Sequence, residues 1–254
     1  MHWGICVLKS TPSWLLRLLL RMLAPRECTG GGLIRLGPQN DGGYLVPASA
    51  IPARFVASPG VADTAGFEAD LLEQGAVAFL CDPHVDRPPF EREGLYFEKK
   101  ALSTTTSISE LTLAEIVAWG ADRVGAGGWI LQMDVEGAEW CVIGGTKRRV
   151  LKNFGVIVVE FHDLEKLFFP RQFLRCVAVF SKLLADFHVS HIHANNCRPA
   201  KLWKGIEIPS IVEVTFHRRR DCRLIGAAEL PHSLDRPCLP DRDEVYLSAD
   251  WQGN

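Results

Sequence analysis

Four residues with acid–base or metal-binding side chains end or follow apolar segments in the second half of the chain: Asp134, Glu160, His162 and His193. A carboxylate or an imidazole can remove the proton from an attacking hydroxyl group, and His162 and His193 are the leading candidates for such a base. The same four side chains offer oxygen and nitrogen ligands for one divalent ion. In a third interpretation the histidines are only hydrogen-bonded to neighbouring carboxylates. All three stay open, because spacing along the chain does not fix distances between separate segments.

A second set of candidate residues suits the binding of a nucleoside. The loop from Ser58 to Gly66, with Gly60 near its start, follows an apolar run, and Asp82 ends the next run 22 residues beyond Gly60. An acidic residue at that spacing commonly binds a ribose diol. The loop lacks the G-x-G-x-x-G pattern, and the acidic residues in and after it would repel a pyrophosphate. A cationic nucleoside such as S-adenosylmethionine therefore fits better than a dinucleotide, and an ordinary strand-to-helix turn is the alternative.

The elements that must position these residues follow an alternating pattern. Short apolar runs alternate with helical patterns from about residue 55, which is typical of a mostly parallel sheet. Strands are predicted at 55–58, 76–82, 96–102, 129–134, 156–160, 188–193 and 211–217, and helices at 67–74, 109–119, from 138, and 170–187. A short segment with Pro199 and Pro209 separates the last two strands, which we expect to be antiparallel. The sequence thus predicts an α/β fold with a seven-stranded, mostly parallel sheet whose last strand is antiparallel.

The two ends of the chain lie outside this pattern. We predict a helical extension at 1–32, a central domain at 33–220 and a tail at 221–254. Thr11-Pro12 is a good helix start, and the apolar segment after it carries Arg17 and Arg21 four residues apart. These charges argue against a transmembrane span. The helix is expected to pack on its own domain, with a homodimer contact or shallow membrane association as the alternatives.

The composition is that of a globular protein with a sizeable core. The chain has 254 residues, 47% of them apolar, and a formal net charge of −2 at pH 7. This balance provides no overall field that would attract nucleic acid, so a small molecule is the expected partner. The eight cysteines are scattered and form no C-x-x-C motif. We interpret them as reduced core residues or free thiols of a cytoplasmic protein.

Short motifs across the central part of the chain fit one known family. They are Asn40-Asp-Gly-Gly-Tyr44, Ser58-Pro-Gly60, Leu80-Cys-Asp82-Pro83, Met133-Asp-Val-Glu-Gly-Ala-Glu-Trp140, Val159-Glu-Phe-His162, His191-Ile-His-Ala-Asn-Asn196 and Ile211-Val-Glu-Val-Thr215. With these motifs the chain resembles the FkbM-type S-adenosylmethionine-dependent methyltransferases. The run from Asp134 to Glu139 is the most specific, and residues 1–32 and 221–254 match nothing in the family.

The resemblance implies a Rossmann-like class I methyltransferase fold and S-adenosylmethionine as the cofactor, with a divalent metal left open. The cofactor-binding residues expected on this basis are Ser58, Gly60, Asp82, Asp134, Asp41 and Gly42. The segment around Asp41 is either a tight turn or a flap over the cofactor or acceptor. The implied activity is O-methylation of a saccharide or natural product.

Two other functions are weighed against this one. A nicotinamide-dependent oxidoreductase on a Rossmann sheet is disfavoured by the missing glycine pattern and the acidic loop. A non-catalytic binding module of the same fold is disfavoured by the density of acidic and histidine residues at the predicted strand ends.

Overall fold

The computed structural model describes residues 9–253, and its centre is a seven-stranded sheet. The strands are β1 (Phe55–Pro59), β2 (Val77–Cys81), β3 (Leu95–Glu98), β4 (Trp129–Met133), β5 (Val156–Phe161), β6 (Phe187–Ala194) and β7 (Val212–Arg218). Their order across the sheet is β3-β2-β1-β4-β5-β7-β6. The strand β7 is antiparallel to both neighbours, and the other pairs are parallel. The predicted α/β fold with an antiparallel last strand is confirmed.

Helices and small two-stranded units cover the sheet. The helices are α1 (Ser13–Met22), α2 (Gly66–Glu73), α3 (Leu113–Val124), α4 (Glu139–Gly145), α5 (Arg148–Leu151) and α6 (Pro170–Leu184), with 3-10 turns at Ala48–Ala50, Leu164–Phe168 and Ala249–Trp251. The small units pair Arg26–Cys28 with Leu224–Ala227, Leu33–Leu36 with Tyr44–Pro47, Ala101–Ser103 with Glu110–Thr112, and Lys201–Trp203 with Ile206–Ile208.

Two apolar layers lie on opposite faces of the sheet, because successive strand residues point to opposite sides. Phe55 of β1 and Leu131 of β4 face a large core formed with α1, α3, α4 and α6. Val56 and Ile130, the neighbouring positions, face a smaller core formed with α2 and the hairpin of Leu33–Leu36 and Tyr44–Pro47. Burial on both faces explains why these strands are continuous apolar runs in the sequence.

The segment between β3 and α3 differs from the expectation. The third strand ends at Glu98 instead of reaching Leu102, and α3 begins at Leu113 instead of Ser109. A capping box fixes the helix start: Thr112 Oγ1 accepts a hydrogen bond from Glu115 N at 3.3 Å, and the Glu115 carboxylate accepts one from Thr112 N at 2.8 Å. The residues before Thr112 are thereby free to pair as a short strand.

The terminal segments pack together on the central domain. Leu16, Leu19 and Leu20 of α1 are buried in the large core, whereas Trp14 and Leu18 are exposed. None of the helices formed by residues 9–253 is long and apolar enough to cross a membrane. The first eight residues of the predicted extension and Asn254 lie outside the described part of the chain. The predicted boundaries at 33 and 220, and the homodimer through the first helix, stay predictions.

Candidate functional site

The candidate site lies at the carboxyl ends of β1, β4 and β5, where polar side chains take over from the core. Ser58, Gln132 and Glu160 each lie two residues beyond a strand residue of the smaller core, so they continue its face of the sheet. Asp134 and His162 directly follow β4 and β5. The fold therefore brings the predicted residues of three separate strands to one edge.

His162 is surrounded by carboxylates. Its Nε2 lies 3.3 Å from Glu136 Oε2, 3.5 Å from Glu160 Oε1 and 3.8 Å from Asp134 Oδ1, and its Nδ1 lies 3.6 Å from Glu139 Oε1. Burial lowers the pKa of His162, but the adjacent Glu139 and the charge of Asp134 raise it, and the net shift is upward from the usual histidine value. The imidazole is therefore favoured as a cation within an acidic site.

Glu139 joins the loops that follow β4 and β5. Its buried carboxylate accepts hydrogen bonds from Gly137 N at 2.8 Å and from His162 N at 2.7 Å. Glu136, just before this contact, has a φ of 50°, a left-handed conformation that is uncommon outside glycine. Trp140 Nε1 donates a hydrogen bond to the His162 carbonyl oxygen at 2.8 Å. These bonds set the positions of Glu136 and His162 relative to each other.

His193 stands in a row with Glu213 and Glu160 across β6, β7 and β5, because the register pairs each with the next. Its Nδ1 is 3.2 Å from Glu213 Oε2, and its Nε2 is 2.9 Å from Glu244 Oε1. Burial lowers the pKa of His193, but the bonds to these two carboxylates raise it to about 10. Since both ring nitrogens are engaged, the geometry does not favour the predicted role of His193 as a base.

Glu160 is a buried carboxyl and Asp134 a half-buried one, and each has an oxygen without a hydrogen-bond partner among residues 9–253. Burial raises the pKa of Asp134 to about 7, with the charge of His162 opposing the shift and that of Glu136 adding to it. Burial and the charge of Asp134 raise the pKa of Glu160 well above its usual range. Asp134 Oδ1 and Glu160 Oε2 have no hydrogen-bond partner among residues 9–253. A cation or a donor from a ligand would therefore stabilise both groups.

The predicted cofactor loop packs closely against the loop after β4. Gly60 has a φ of 84°, and a Cβ there would lie 1.5 Å from the Asp134 carbonyl oxygen, so only glycine fits. At the end of β2, Asp82 accepts hydrogen bonds from Ala62 N at 3.1 Å and from His84 N at 2.7 Å. The Asp82 carboxylate is thereby fixed beside the loop, at the strand end where this fold class binds ligands.

A cavity of about 120 Å³ opens between these loops. Its walls include the predicted residues Asp41, Gly42, Gly60 and Asp134. Ser58 and Asp82, also predicted to bind the cofactor, are outside this lining. Ser58 is instead fully buried behind the cavity.

A buried hydrogen-bond chain supports the cavity wall. Ser58 Oγ contacts Glu68 Oε1 and lies 2.6 Å from Gln132 Oε1, and Gln132 Nε2 donates to Tyr44 Oη at 3.2 Å. A hydroxyl has one proton to donate, so Ser58 cannot donate to both oxygens. The chain is satisfied when Ser58 donates to Gln132 and a protonated Glu68 donates to Ser58. Burial raises the pKa of Glu68 to about 7 although its contact with Ser58 lowers it, which agrees with this arrangement.

Comparison with known families bears on the same part of the chain. Residues 78–187, from within β2 to the first residue of β6, match the methyltransferase FkbM domain. This match covers less than half of the chain. The resemblance expected from the sequence motifs is thus confirmed, and the domain supports a methyltransferase.

Solved structures show distant likeness to this chain. A chain of a fibrillarin/Nop5p complex has 9% sequence identity and a TM-score of 0.38, with 66% of this chain and 73% of that chain covered. A candidate hemolysin from Streptococcus thermophilus has 10% identity and a TM-score of 0.38, with 75% of this chain and 64% of that chain covered. No curated protein matches the sequence.

Potential metal ligands form several groups within residues 9–253, and two of these groups share Glu213. Around the site, Asp134 and His162 group with Glu136, Glu160 groups with Asp41 and Glu213, and His193 groups with Glu213 and Cys238. The predicted set of Asp134, Glu160, His162 and His193 is therefore not assembled as one group. Its role in binding a metal stays a prediction.

Glu139, Glu213 and Glu244 are among the carboxylates of the site that were outside the predicted set. The helix start at Glu139 is visible in the sequence, but its bond to the next loop is not. Alternation in β7 indicates that Glu213 shares a face with Thr215, whereas the register that places it beside Glu160 has no local signal. Glu244 lies in a segment without any periodic pattern.

Proposed function

We propose that the protein is an S-adenosylmethionine-dependent methyltransferase that acts on a hydroxyl group of a saccharide or another hydroxylated natural product. The FkbM domain supports methyl transfer. The observation that carries the cofactor assignment is the acidic cavity, in which Asp41, Glu136 and Asp134 lie beside the Gly60 loop. Such a cavity attracts a cationic ligand and repels a pyrophosphate.

The surrounding residues suit the cofactor in chemical type. Asp82 would bind the ribose hydroxyls, and the carboxylates of Asp41 and Asp134 would attract the cationic end. The cavity of about 120 Å³ is smaller than usual ligand sites of roughly 300–1,000 Å³. We therefore propose that the loops around Gly42 and Gly60 separate when the cofactor binds.

Asp134 is the residue that we propose takes the acceptor proton. It lines the cavity, its Oδ1 has no hydrogen-bond partner within residues 9–253, and its pKa of about 7 is matched to neutral pH. When bound, S-adenosylmethionine supplies an electrophilic methyl group. His162, the other candidate near the cavity, has a raised pKa and stabilises the ionised form of Asp134.

Calorimetric titration with S-adenosylmethionine and with S-adenosylhomocysteine tests the cofactor proposal. We expect binding that weakens by tenfold or more in Asp82→Asn. Asp86→Asn is the matched control, because Asp86 follows the same strand but is exposed and forms an ion pair with Lys99. Absence of binding by the folded wild-type protein would contradict the proposal.

A methyl-transfer screen against saccharides, run with Mg²⁺ and with a chelator, tests the acceptor class. Methylation of an oxygen, identified by NMR of the product, is the expected result. If the chelator abolishes activity and Mg²⁺ restores it, the result would contradict Asp134 as the base. It would indicate instead that a bound metal activates the acceptor hydroxyl. We also propose a cytoplasmic location, on the scattered cysteine pattern of the sequence.

A further inference from the structure

Two cysteines from opposite ends of the chain meet outside the candidate site. Cys28 ends the strand Arg26–Cys28, and Cys222 lies just before its partner strand Leu224–Ala227. Their sulfur atoms are 3.2 Å apart. A disulfide bond requires about 2.05 Å, so closure needs a movement of roughly 1 Å, within reach of side-chain rotation.

The backbone holds the two cysteines together from both sides. Thr29 N donates to the Arg223 carbonyl oxygen at 2.8 Å, and Arg223 N donates to Thr29 Oγ1 at 3.1 Å. The antiparallel pairing of Glu27 with Gly226 lies on the other side. The fold therefore keeps the two cysteines next to each other, and no movement of flexible segments is needed to bring them together.

The two thiols differ in access. Cys28 is half-buried and lines an open cavity of about 480 Å³, whereas Cys222 is buried. Burial and the adjacent Cys28 thiol raise the pKa of Cys222 to about 12. An oxidant that enters the cavity therefore meets Cys28 first, and Cys222 acts as the second thiol.

We propose that Cys28 and Cys222 are a redox modification site, closed to a disulfide by a small disulfide such as oxidised glutathione. The Cys28 thiolate attacks one glutathione sulfur and forms a mixed disulfide, and the first glutathione leaves as a thiolate. Cys222 then loses its proton and attacks the Cys28 sulfur, and the second glutathione leaves as a thiolate. The protein loses two electrons and two protons, and one oxidised glutathione becomes two reduced molecules.

A bound metal is the competing use of this pair. A nitrogen of His217 lies within 4.8 Å of both sulfurs, which together make a three-ligand group. The surroundings favour a metal less, because three ligands leave a tetrahedral zinc site one short, and because the Cys222 thiol donates a hydrogen bond to the Arg218 carbonyl oxygen at 3.8 Å, which favours the protonated thiol over the thiolate that a metal binds. A disulfide needs neither a further ligand nor a lasting thiolate.

A disulfide between Cys28 and Cys222 would anchor the start of the carboxyl-terminal segment, which follows Cys222 and extends to the candidate site. Beyond Cys222, Asp235 lies 2.8 Å from His191 Nε2, and Glu244 lies 2.9 Å from His193 Nε2. The disulfide would join this segment to a strand almost two hundred residues earlier in the chain. It would therefore stabilise the contacts of the carboxyl-terminal segment against local opening.

The test uses the full-length protein equilibrated with mixtures of reduced and oxidised glutathione, then alkylated, digested without reduction and mapped by mass spectrometry. We expect a peptide linked through Cys28 and Cys222 in the wild type and in the control Cys141→Ser, which removes an exposed thiol on α4. Cys222→Ser should stop at the mixed disulfide on Cys28. The oxidised wild type should melt about 5 °C or more above the reduced form.

Two outcomes would overturn the proposal. One is a wild-type protein that keeps glutathione on Cys28, or forms no Cys28–Cys222 link, at any ratio. The other is one zinc ion per chain in the purified protein, measured by elemental analysis and lost in His217→Ala. Because the linkage is mapped on the wild type, a variant that fails to fold does not affect the result, and methyl transfer is not needed for it.

Discussion

At the scale of single residues, a buried carboxyl group with a raised pKa makes the stability of this protein depend on pH. Glu68 is the clearest case. Its folded-state pKa of about 7 lies above the usual value of 4.5. Below pH 4.5 it is protonated in both folded and unfolded states and adds no pH dependence. Between pH 4.5 and 7 the unfolded state loses a proton that the folded state keeps, so the free energy of unfolding falls, by about 3 kcal/mol in total.

Glu68→Gln should therefore remove this part of the pH dependence. Urea unfolding followed from pH 4.5 to 7.5 should show the variant gaining about 3 kcal/mol relative to the wild type. Glu73→Gln is the matched control, since Glu73 is exposed on the same helix. A Glu68→Gln curve that runs parallel to the wild type would show that Ser58 does not accept a hydrogen bond from a protonated Glu68.

Asp134 gives a second prediction, for turnover with an acceptor found in the screen. Only the ionised carboxylate can take a proton, so kcat/KM should rise as the pH increases through about 7 and then level. Asp134→Asn should lower kcat by about 10²–10⁴-fold while calorimetry shows that the cofactor still binds, although more weakly because Asp134 also faces its cationic end. A flat pH profile, or a kcat within twofold of the wild type, would remove Asp134 from the base role.

Among the elements, the buried strands were predictable because one physical constraint acts along their whole length. The strands β1, β4 and β5 are covered on both faces, so the apolar runs 55–58, 129–134 and 156–160 match them to within one residue at each end. The segment 99–112 was less predictable. There the capping box at Thr112, a hydrogen-bond pattern of two residues, overrides the helical periodicity.

The candidate site was predictable only where sequence position determines spatial position. Asp134 and His162 follow parallel strands, and the ends of such strands meet at one edge in any doubly wound sheet. The partners of His193 depend on two other facts. Glu213 reaches it through the register of β6 and β7, and Glu244 reaches it from a segment without periodicity. Neither the register nor that contact has a signal in the local sequence.

The loop after β1 gives a prediction at the scale of an element. Gly60 and Gly75 have similar positive φ values of 84° and 89°, but a Cβ at Gly75 would meet nothing within 4 Å. Gly75→Ala should therefore cost only the left-handed strain of about 1–2 kcal/mol. Gly60→Ala should cost at least about 2 kcal/mol more in urea unfolding, and weaken cofactor binding, because the loop must move off Asp134. If the two variants lose the same free energy of unfolding, the loop after β1 can move away from Asp134 without a loss of stability.

At the scale of the whole molecule, the amino-terminal and carboxyl-terminal segments pack against each other and against the central domain. Trp251 is fully buried in the large core, near α1, and its Nε1 donates to the Glu207 carbonyl oxygen at 3.5 Å. Arg17 of α1 forms an ion pair with Asp250. The strand Arg26–Cys28 pairs with Leu224–Ala227. These contacts join residues 9–32 and 221–253 to the central domain.

Trp251→Ala tests this integration. Deleting a buried tryptophan side chain should cost about 3–5 kcal/mol, whereas Trp14→Ala should change the free energy of unfolding by less than about 1 kcal/mol, because Trp14 is 65% exposed on α1. Circular dichroism should follow unfolding, since both changes alter tryptophan fluorescence. If the ends and the central domain form one cooperative unit, Trp251→Ala shifts the whole transition to lower urea and keeps it single. A small early transition with the main one unmoved would instead show that 221–254 unfolds separately from the central domain.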